Sequence, residues 1–290
     1  MSLKLLVTDA VSPLGQALLH DLEREPFNLL VPGVEELDWT DLAAVDAYIH
    51  HKRPDLVVNN YALDQLMTQE GCVAFVQCAA NLASACGARN IPLLHLSSYQ
   101  VFGGDNKSTH SEKDTVNPVN EAGRALVAAE QELEAIAPRH ISLRASWVIG
   151  AYGDNILTRL LDGYLGGHAV QANRRLRGAP TTMADFTRVI VALAKQITCG
   201  AENWGIMHYC SGDACTEEEF AEHLLQLIIQ QQLLTAEPSL TIVDNPLAGE
   251  PSSAILTCRN IRDGFGIQPR SWRPSLLPLV RQWLHNQEQK

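Results

Sequence analysis

One stretch decides the fold of this chain: Leu3-Lys-Leu-Leu-Val-Thr-Asp-Ala-Val-Ser-Pro-Leu-Gly-Gln-Ala-Leu-Leu19. It opens with a short apolar run that ends at Val7 and closes with apolar residues at helical spacing. Between them, Ser12 followed by Pro13 is typical of a helix start, because serine caps the first amides and proline suits the first helical position. The stretch therefore predicts a strand, a tight turn and a helix.

The same order of elements opens the βαβ units that bind dinucleotides, where the turn carries Gly-x-x-Gly-x-x-Gly or a close variant. The glycines let the backbone approach a pyrophosphate, and the helix N-terminus points free N–H groups at it. Here the three positions hold Asp9, Ser12 and Gly15. Asp9 places a carboxylate where a diphosphate would arrive, and like charges repel in a partly desolvated loop. Two interpretations stay open, a dinucleotide site and a turn retained for folding alone.

Composition excludes several classes of protein. The net charge of −11 argues against nucleic acid or an anionic membrane as partner. The basic cluster Arg174, Arg175 and Arg177 is a local exception, interpreted either as a grip for a phosphate or as a solvated turn. The short apolar run around Lys4 lacks a cleavage site and no run reaches membrane-spanning length, so we expect a cytoplasmic protein.

Cysteine and histidine spacing gives no sign of a metal site. The seven cysteines form no Cys-x-x-Cys pair, and their odd number indicates reduced, mostly buried thiols. The ten histidines show no pairing at ligand spacing beyond His50-His51, whose side chains cannot converge on one helix face. His95, inside an apolar strand, is interpreted as a core histidine.

Strand-like and helix-like runs alternate along the chain, which predicts an α/β fold with a doubly wound parallel sheet of the Rossmann type. Predicted strands cover 3–7, 28–31, 55–59, 91–97 and 141–147, and predicted helices cover 42–51, 72–86, 120–137, 155–161, 184–197 and 276–286. We expect a nucleotide-binding domain over 1–150, to which 181–205 return. A small C-terminal α/β lobe of the substrate-binding type would comprise 151–180 and 206–290.

Several motifs follow one another in an order known from one family. They are Asp55-Leu-Val-Val-Asn59, Leu96-Ser-Ser-Tyr-Gln-Val-Phe-Gly103, Arg144-Ala-Ser-Trp-Val-Ile-Gly150, Gly153-Asp-Asn155, Gly178-Ala-Pro-Thr181 and Gly205-Ile-Met-His208. In this order the chain resembles the extended short-chain dehydrogenase/reductases, within them the dTDP-4-dehydrorhamnose reductase branch. The resemblance covers nearly the whole chain.

That family works with a serine or threonine, a tyrosine and a lysine, and here the resemblance supplies only the first. Ser98 matches the hydroxyl position, although a serine at a strand end also serves to satisfy backbone groups. The helix phrase Pro118-Val-Asn-Glu-Ala-Gly-Arg-Ala-Leu-Val-Ala-Ala-Glu130 aligns without a gap and puts Ala122 and Leu126 at the tyrosine and lysine positions. Neither side chain can donate a proton. Candidates to replace the phenol are Tyr99, Tyr61 and Tyr152.

The resemblance also implies the contacts of a cofactor and a substrate. NADP or NAD would be the cofactor, an expectation that the acidic loop weakens. Its contacts would come from Asp9, Ser12, Pro13, Leu14, Gly15, Asp38, Asn59, Tyr61 and Ala62. The substrate contacts would come from Ser98, Tyr99, Arg144, Trp147, Asn155, Arg175 and Arg177.

From the missing tyrosine and lysine, we expect a non-catalytic or regulatory relative of nucleotide-sugar reductases. It would bind a nucleotide, a nucleotide-sugar or a protein partner, and helices 72–86 and 120–137 could pair subunits into a homodimer. The alternative is an active NAD(P)H-dependent dTDP-4-dehydrorhamnose reductase-like enzyme with a substituted proton donor.

Overall fold

A computed structural model describes residues 3–105, 107–234, 239–245 and 248–289. In chain order the strands are β1 (Leu3–Val7), β2 (Phe27–Leu30), β3 (Leu56–Asn59), β4 (Leu93–Ser98), β5 (His140–Ala145), β6 (Val148–Ile149), β7 (Ala169–Asn173), β8 (Arg177–Gly178), β9 (Thr181–Thr182), β10 (Gly205–Tyr209), β11 (Cys215–Thr216) and β12 (Ser239–Val243). The α-helices are α1 (Pro13–Leu22), α2 (Leu42–Lys52), α3 (Gln69–Gly87), α4 (Glu121–Ile136), α5 (Ile156–Leu165), α6 (Met183–Thr198), α7 (Glu217–Gln230), α8 (Arg259–Phe265) and α9 (Arg273–Glu288).

Six strands form one parallel sheet in the order β10-β5-β4-β3-β1-β2. Alternate residues of each strand face opposite sides, as strand geometry requires. Leu6 and Val57 therefore lie in one apolar cluster, whereas Leu5 and Val58 lie in another. The prediction of a doubly wound parallel sheet is confirmed.

Helices cover both faces of this sheet. Helices α2, α3 and α4 pack their buried residues into the cluster of Leu6, and α3 contacts α4 along its length. Helices α1, α6 and α8 pack on the cluster of Leu5. Within the described part of the chain, no helix combines the length and the apolar character that a bilayer crossing needs.

A separate apolar cluster forms the small lobe. Strands β7 and β12 pair in parallel, and helices α5, α7 and α9 surround them. Its largest fully buried side chains are Trp272, Tyr164 and Phe220. The lobe thus has a core of its own beside the sheet.

Two of the predicted boundaries need correction. Residues 206–209 were assigned to the lobe, but they belong to β10, which extends the central sheet because its side chains from Met207 to Tyr209 are buried against β5 and α8. The predicted strand 141–147 ends at Ala145, because the hydroxyl of Ser146 accepts a hydrogen bond from the amide of Ala179 and the chain then joins β9.

The tight turn between β1 and α1 allows a direct stability test. A Cβ atom on Gly15 would lie 2.1 Å from the carbonyl oxygen of Asp9, so the backbone would have to move. We expect Gly15→Ala to lower the free energy of unfolding by about 2 to 4 kcal/mol, measured by urea denaturation. Gly33→Ala is the control, since a Cβ there meets nothing within 4 Å. Equal urea midpoints for the two variants would contradict the close helix–strand packing.

Candidate active site

The carboxyl ends of β1, β3, β4 and β5 lie side by side, which is where parallel α/β sheets form their ligand crevice. The loops that leave these ends carry most of the residues that the resemblance assigned to cofactor and catalysis. They begin at Thr8, Asn60, Tyr99 and Ser146.

The loop after β1 is held by its own carboxylate. Asp9 Oδ1 accepts hydrogen bonds from the backbone N–H groups of Val11 at 2.9 Å and Ser12 at 3.1 Å. Ser12 Oγ accepts from the N–H of Gly15 at 3.2 Å and caps α1, with Pro13 at the first turn. The loop is thus an anion cradle whose anion is part of the chain, a role that the sequence did not reveal for Asp9.

Asn60, directly after β3, holds the backbone of this loop in place. The Asn60 side chain accepts from the N–H of Asp9 at 3.1 Å and donates to its carbonyl oxygen at 2.7 Å. The backbone N–H of Asn60 in turn donates to Thr8 Oγ1 at 3.0 Å, and the Thr8 hydroxyl donates to Asn59 Oδ1. Sequence reasoning missed Thr8 and Asn60, although the Asn59-Asn60 doublet at a strand end was a signal for them.

Asn59 itself is held within the core. Its side-chain nitrogen lies 3.0 Å from His95 Nδ1, and its oxygen accepts from the N–H of Tyr61 at 3.2 Å. Burial lowers the pKa of His95 to about 3, so its ring is neutral. His95 is fully buried against Phe75, which agrees with its interpretation as a core histidine.

An aromatic wall lies beside this loop. The rings of Trp39 and Tyr61 are 6.4 Å apart between centroids, and Ala62 follows in the left-handed conformation with φ 53°. Partial burial raises the pKa of the Tyr61 phenol, with further contributions from Cys78 and the nearby carboxylates of Asp38 and Asp9. Asp38 accepts from the N–H and the hydroxyl of Thr40, and these bonds lower its pKa.

At the end of β4, Ser98 starts a short 3₁₀ turn over Tyr99–Val101, and its Oγ accepts from the N–H of Gln100. Helix α4 faces this turn, with Gly123 packed against the carbonyl oxygen of Gln100. On α4, Ala122 is 5% exposed and Leu126 is fully buried in the apolar cluster. Helix α4 therefore brings aliphatic groups to the positions where the family has its tyrosine and lysine.

Tyr99 supplies a phenol beside Ser98. It is half-buried, and its side chain lies near those of Gln100 and Trp147. Burial, together with the nearby carboxylate of Glu250, raises the pKa of Tyr99 to about 12. The hydroxyl therefore stays protonated at neutral pH.

Trp147 and the segment around Glu250 lie near Tyr99. A Cβ on Gly178 would lie 2.3 Å from the Trp147 ring, so only glycine allows that packing. The carbonyl oxygen of Gly249 accepts from Asn120 Nδ2 at 2.9 Å, which places the segment over the start of α4. Desolvation raises the pKa of Glu250, and Glu217 adds to the effect. Sequence analysis did not single out Glu250, because no motif marks it.

Arg144, which the resemblance implies as a substrate contact, is buried in an ion pair. Its Nε and Nη2 atoms lie 2.9 and 2.5 Å from the carboxylate oxygens of Glu130, and the guanidinium stacks on Phe102. Its Nη1 atom faces His208 Nε2 at 3.4 Å. The hydroxyl of Ser97 also donates to Glu130 at 2.6 Å. Because the guanidinium is 4% exposed and engaged on each of these sides, it anchors α4 to β5.

The remaining predicted substrate residues lie on the lobe. Asn155 caps α5, and its side-chain nitrogen donates to the carbonyl oxygen of Gly150 at 3.1 Å. Arg175 pairs with Asp244 at 2.6 Å on the surface, and Arg177 is exposed on β8. Arg174, the third arginine of this basic cluster, is exposed as well.

The sheet and its crevice define an extended short-chain dehydrogenase/reductase, as the sequence predicted. The model of the RmlD substrate binding domain matches residues 3–284, and the chain belongs to that family. A dTDP-4-dehydrorhamnose reductase of Aggregatibacter actinomycetemcomitans is 29% identical over 94% of this chain and 97% of its own length.

Solved structures share the fold. A dTDP-4-dehydrorhamnose reductase of Bacillus anthracis in complex with NADP superposes with a TM-score of 0.82 at 22% identity, over 97% of this chain and 99% of that one. The Bordetella bronchiseptica enzyme WbmG in complex with NAD and UDP gives a TM-score of 0.83 at 17% identity, over 99% and 96%.

These relatives correct the functional expectation. A non-catalytic or regulatory protein was expected, but full-length relatives are dTDP-4-dehydrorhamnose reductases, and the Bacillus anthracis neighbour binds NADP. The expectation was therefore wrong. It gave the missing tyrosine and lysine of one helix more weight than the alternative of a substituted proton donor, for which Tyr99, Tyr61 and Tyr152 were the candidates.

The buried ion pair offers a test of its structural role. Arg144→Leu leaves the Glu130 carboxylate buried without a partner, so we expect a loss of about 3 to 5 kcal/mol in unfolding free energy. The double variant Arg144→Leu with Glu130→Leu should recover most of that loss, because both charges are gone. Thermal and urea unfolding followed by circular dichroism measure both. A single variant as stable as the wild type would contradict the anchoring role.

Proposed function

We propose that this chain is an NAD(P)H-dependent reductase of the 4-keto group of a dTDP-linked 6-deoxy sugar. The observation that carries the proposal is Tyr99, a protonated phenol next to Ser98 in the crevice of a reductase fold. The full-length likeness to dTDP-4-dehydrorhamnose reductases supports the substrate class.

The residues present fit a dinucleotide at two places. The partly exposed ring of Tyr61 offers an aromatic surface for the adenosine end, and the buried Trp39 packs near it. The N–H groups of Val11 and Ser12 suit an anion, since they already hold the Asp9 carboxylate. A diphosphate would use the same donors and displace that carboxylate. When bound, the cofactor supplies the hydride that adds to the keto carbon.

Ser98 and Tyr99 would serve the substrate oxygen. Ser98 Oγ accepts from the N–H of Gln100, which leaves its own hydrogen free to donate to the carbonyl. As the carbon is reduced, the oxygen gains negative charge and needs a proton. A phenol with a pKa of about 12 is a weak acid, yet it is still more acidic than the alcohol that forms. Tyr99 would therefore donate its hydroxyl proton to this oxygen.

Trp147 and Glu250 would set the position and acidity of this phenol. The nearby Trp147 side chain lowers the pKa of Tyr99, whereas burial and the Glu250 carboxylate raise it and outweigh that effect. The raised pKa keeps the proton on Tyr99 until negative charge develops on the substrate oxygen. The effect is opposite to that of the family's lysine, whose positive charge lowers the pKa of the tyrosine.

Removing the proton donor is the first test. We expect Tyr99→Phe to lower kcat by about 10²- to 10⁴-fold while the Kd for NADH stays unchanged, because the phenol acts in chemistry rather than in cofactor binding. Turnover of a dTDP-4-keto-6-deoxy sugar is followed by NADH absorbance. Tyr152→Phe, at a half-exposed tyrosine of the lobe, is the matched control.

The pH profile gives a second readout on the same variants. Tyr99 is protonated, and so able to donate, at pH values below its pKa of about 12. It loses this proton only as the pH rises through that value. The wild-type kcat should therefore be constant from about pH 6 to 10. Full activity of Tyr99→Phe would exclude this donor, and a wild type that binds cofactor without turnover would exclude the function.

The Asp9 carboxylate should also limit cofactor affinity. Asp9→Asn keeps an oxygen that can accept from Val11 and Ser12 but removes the charge, so we expect NADH and NADPH to bind roughly tenfold more tightly. Calorimetric titration measures the change. Asp263→Asn is the control, because it removes the same charge from an exposed site paired with Arg262. Unchanged affinity in Asp9→Asn would show that Asp9 does not compete with the diphosphate.

A further inference from the structure

Two cysteines far apart in sequence meet at the edge of the central sheet. Cys210 directly follows β10, and Cys258 directly precedes α8, 48 positions later. Their sulfur atoms lie 3.7 Å apart. The N–H of Cys210 donates to Cys258 Sγ at 3.3 Å, and Cys210 Sγ lies 3.2 Å from the carbonyl oxygen of Leu256. These bonds hold the two side chains toward each other.

A cavity of about 360 Å³ opens onto this pair. Both cysteines line it, together with Ala179, Ser211, Arg259 and Arg262. Cys210 is 3% exposed on the surface as a whole, while Cys258 is half-buried, so the cavity is the route to both sulfurs. The two arginines in the lining favour the approach of an anionic reagent, while the Glu112 carboxylate raises the pKa of both thiols.

We propose that Cys210 and Cys258 form a reversible disulfide by exchange with a low-molecular-weight disulfide admitted by this cavity. The inference stands apart from the proposed reductase function, since it concerns groups outside the crevice. The hydrogen bond between the two thiols lowers the pKa of Cys210, which favours a thiolate within the pair.

The exchange takes place in two steps that balance. The first thiolate attacks a sulfur of the small disulfide, forms a mixed disulfide and releases one small thiolate. The second cysteine then loses its proton, attacks the protein sulfur and releases the other small thiolate. The protein loses two protons and two electrons, and the small disulfide is reduced to two thiols. The sulfurs must close from 3.7 Å to about 2.05 Å to form the bond.

The bond would join the end of β10 to a segment that reaches toward the crevice. Ile255 and Thr257 of that segment hydrogen bond the backbone of His110 at 2.9 and 2.8 Å. The same segment begins near Glu250, beside Tyr99. Oxidation would therefore fix the segment to the sheet by a covalent bond in addition to these hydrogen bonds.

Mass spectrometry of the full chain tests the proposal. All proteins carry Cys199→Ser, because Cys199 is exposed and would form adducts of its own. After incubation with oxidised glutathione, we expect a mass loss of about 2 Da, a peptide that links Cys210 to Cys258, and a melting temperature raised by a few degrees. Dithiothreitol should reverse all three changes.

The single variants make the outcome decisive. In Cys258→Ser and in Cys210→Ser we expect no loss of 2 Da, and the remaining cysteine should instead gain one glutathione, about 305 Da. A chain whose Cys210 and Cys258 both stay reduced, or whose disulfide links other cysteines, would overturn the proposal. The readout is a mass, so failure of the reductase assay would leave this result intact.

Discussion

The site depends on the two hydrogen bonds that the Asp9 carboxylate accepts from the amides of Val11 and Ser12. They shape the loop between β1 and α1, and Asn60 fixes its backbone from the neighbouring strand. Glycine would leave those amides free for a phosphate, whereas aspartate fills them from within. The chain thus keeps the geometry of an anion site while it makes an incoming anion compete. The loop is satisfied from within, and in the proposed function a diphosphate would have to displace the carboxylate.

The proposed proton donor likewise lies on a different element from the one that the resemblance indicates. The start of α4 carries Ala122 and Leu126, which extend the apolar cluster, while the ion pair of Arg144 with Glu130 keeps the helix in its place. In the proposed mechanism the phenol lies at the end of β4, where Tyr99 directly follows Ser98. Proton donation in this account comes from a residue that is fixed by β4 rather than by α4. This chemistry depends on where the proton donor lies relative to the substrate carbonyl, and less on which secondary-structure element carries the donor.

Much of the fold was predictable, because it depends on local signals. The strand, turn and helix at the start, the Ser12 cap and the alternation of strands and helices all follow from spacing and capping preferences. The predicted boundaries were wrong where contacts between residues distant in sequence decide them. Strand β10 belongs to the sheet because it pairs with β5, and β5 ends before Ser146, whose hydroxyl accepts a hydrogen bond from the N–H of Ala179. The site was less predictable for the same reason. Arg144 carried a family motif but is buried in an ion pair, and Glu250 carried none yet approaches Tyr99.

The central claim is that this chain transfers hydride although α4 lacks a tyrosine and a lysine. Its most direct test follows the hydrogen itself. The protein is incubated with a dTDP-4-keto-6-deoxy sugar and NADH or NADPH that carries deuterium at the nicotinamide C4, and the product is analysed by NMR. The account predicts one deuterium at sugar C4 with one of the two coenzymes. Unreduced sugar at saturating concentrations of both coenzymes, with a folded protein, would contradict it.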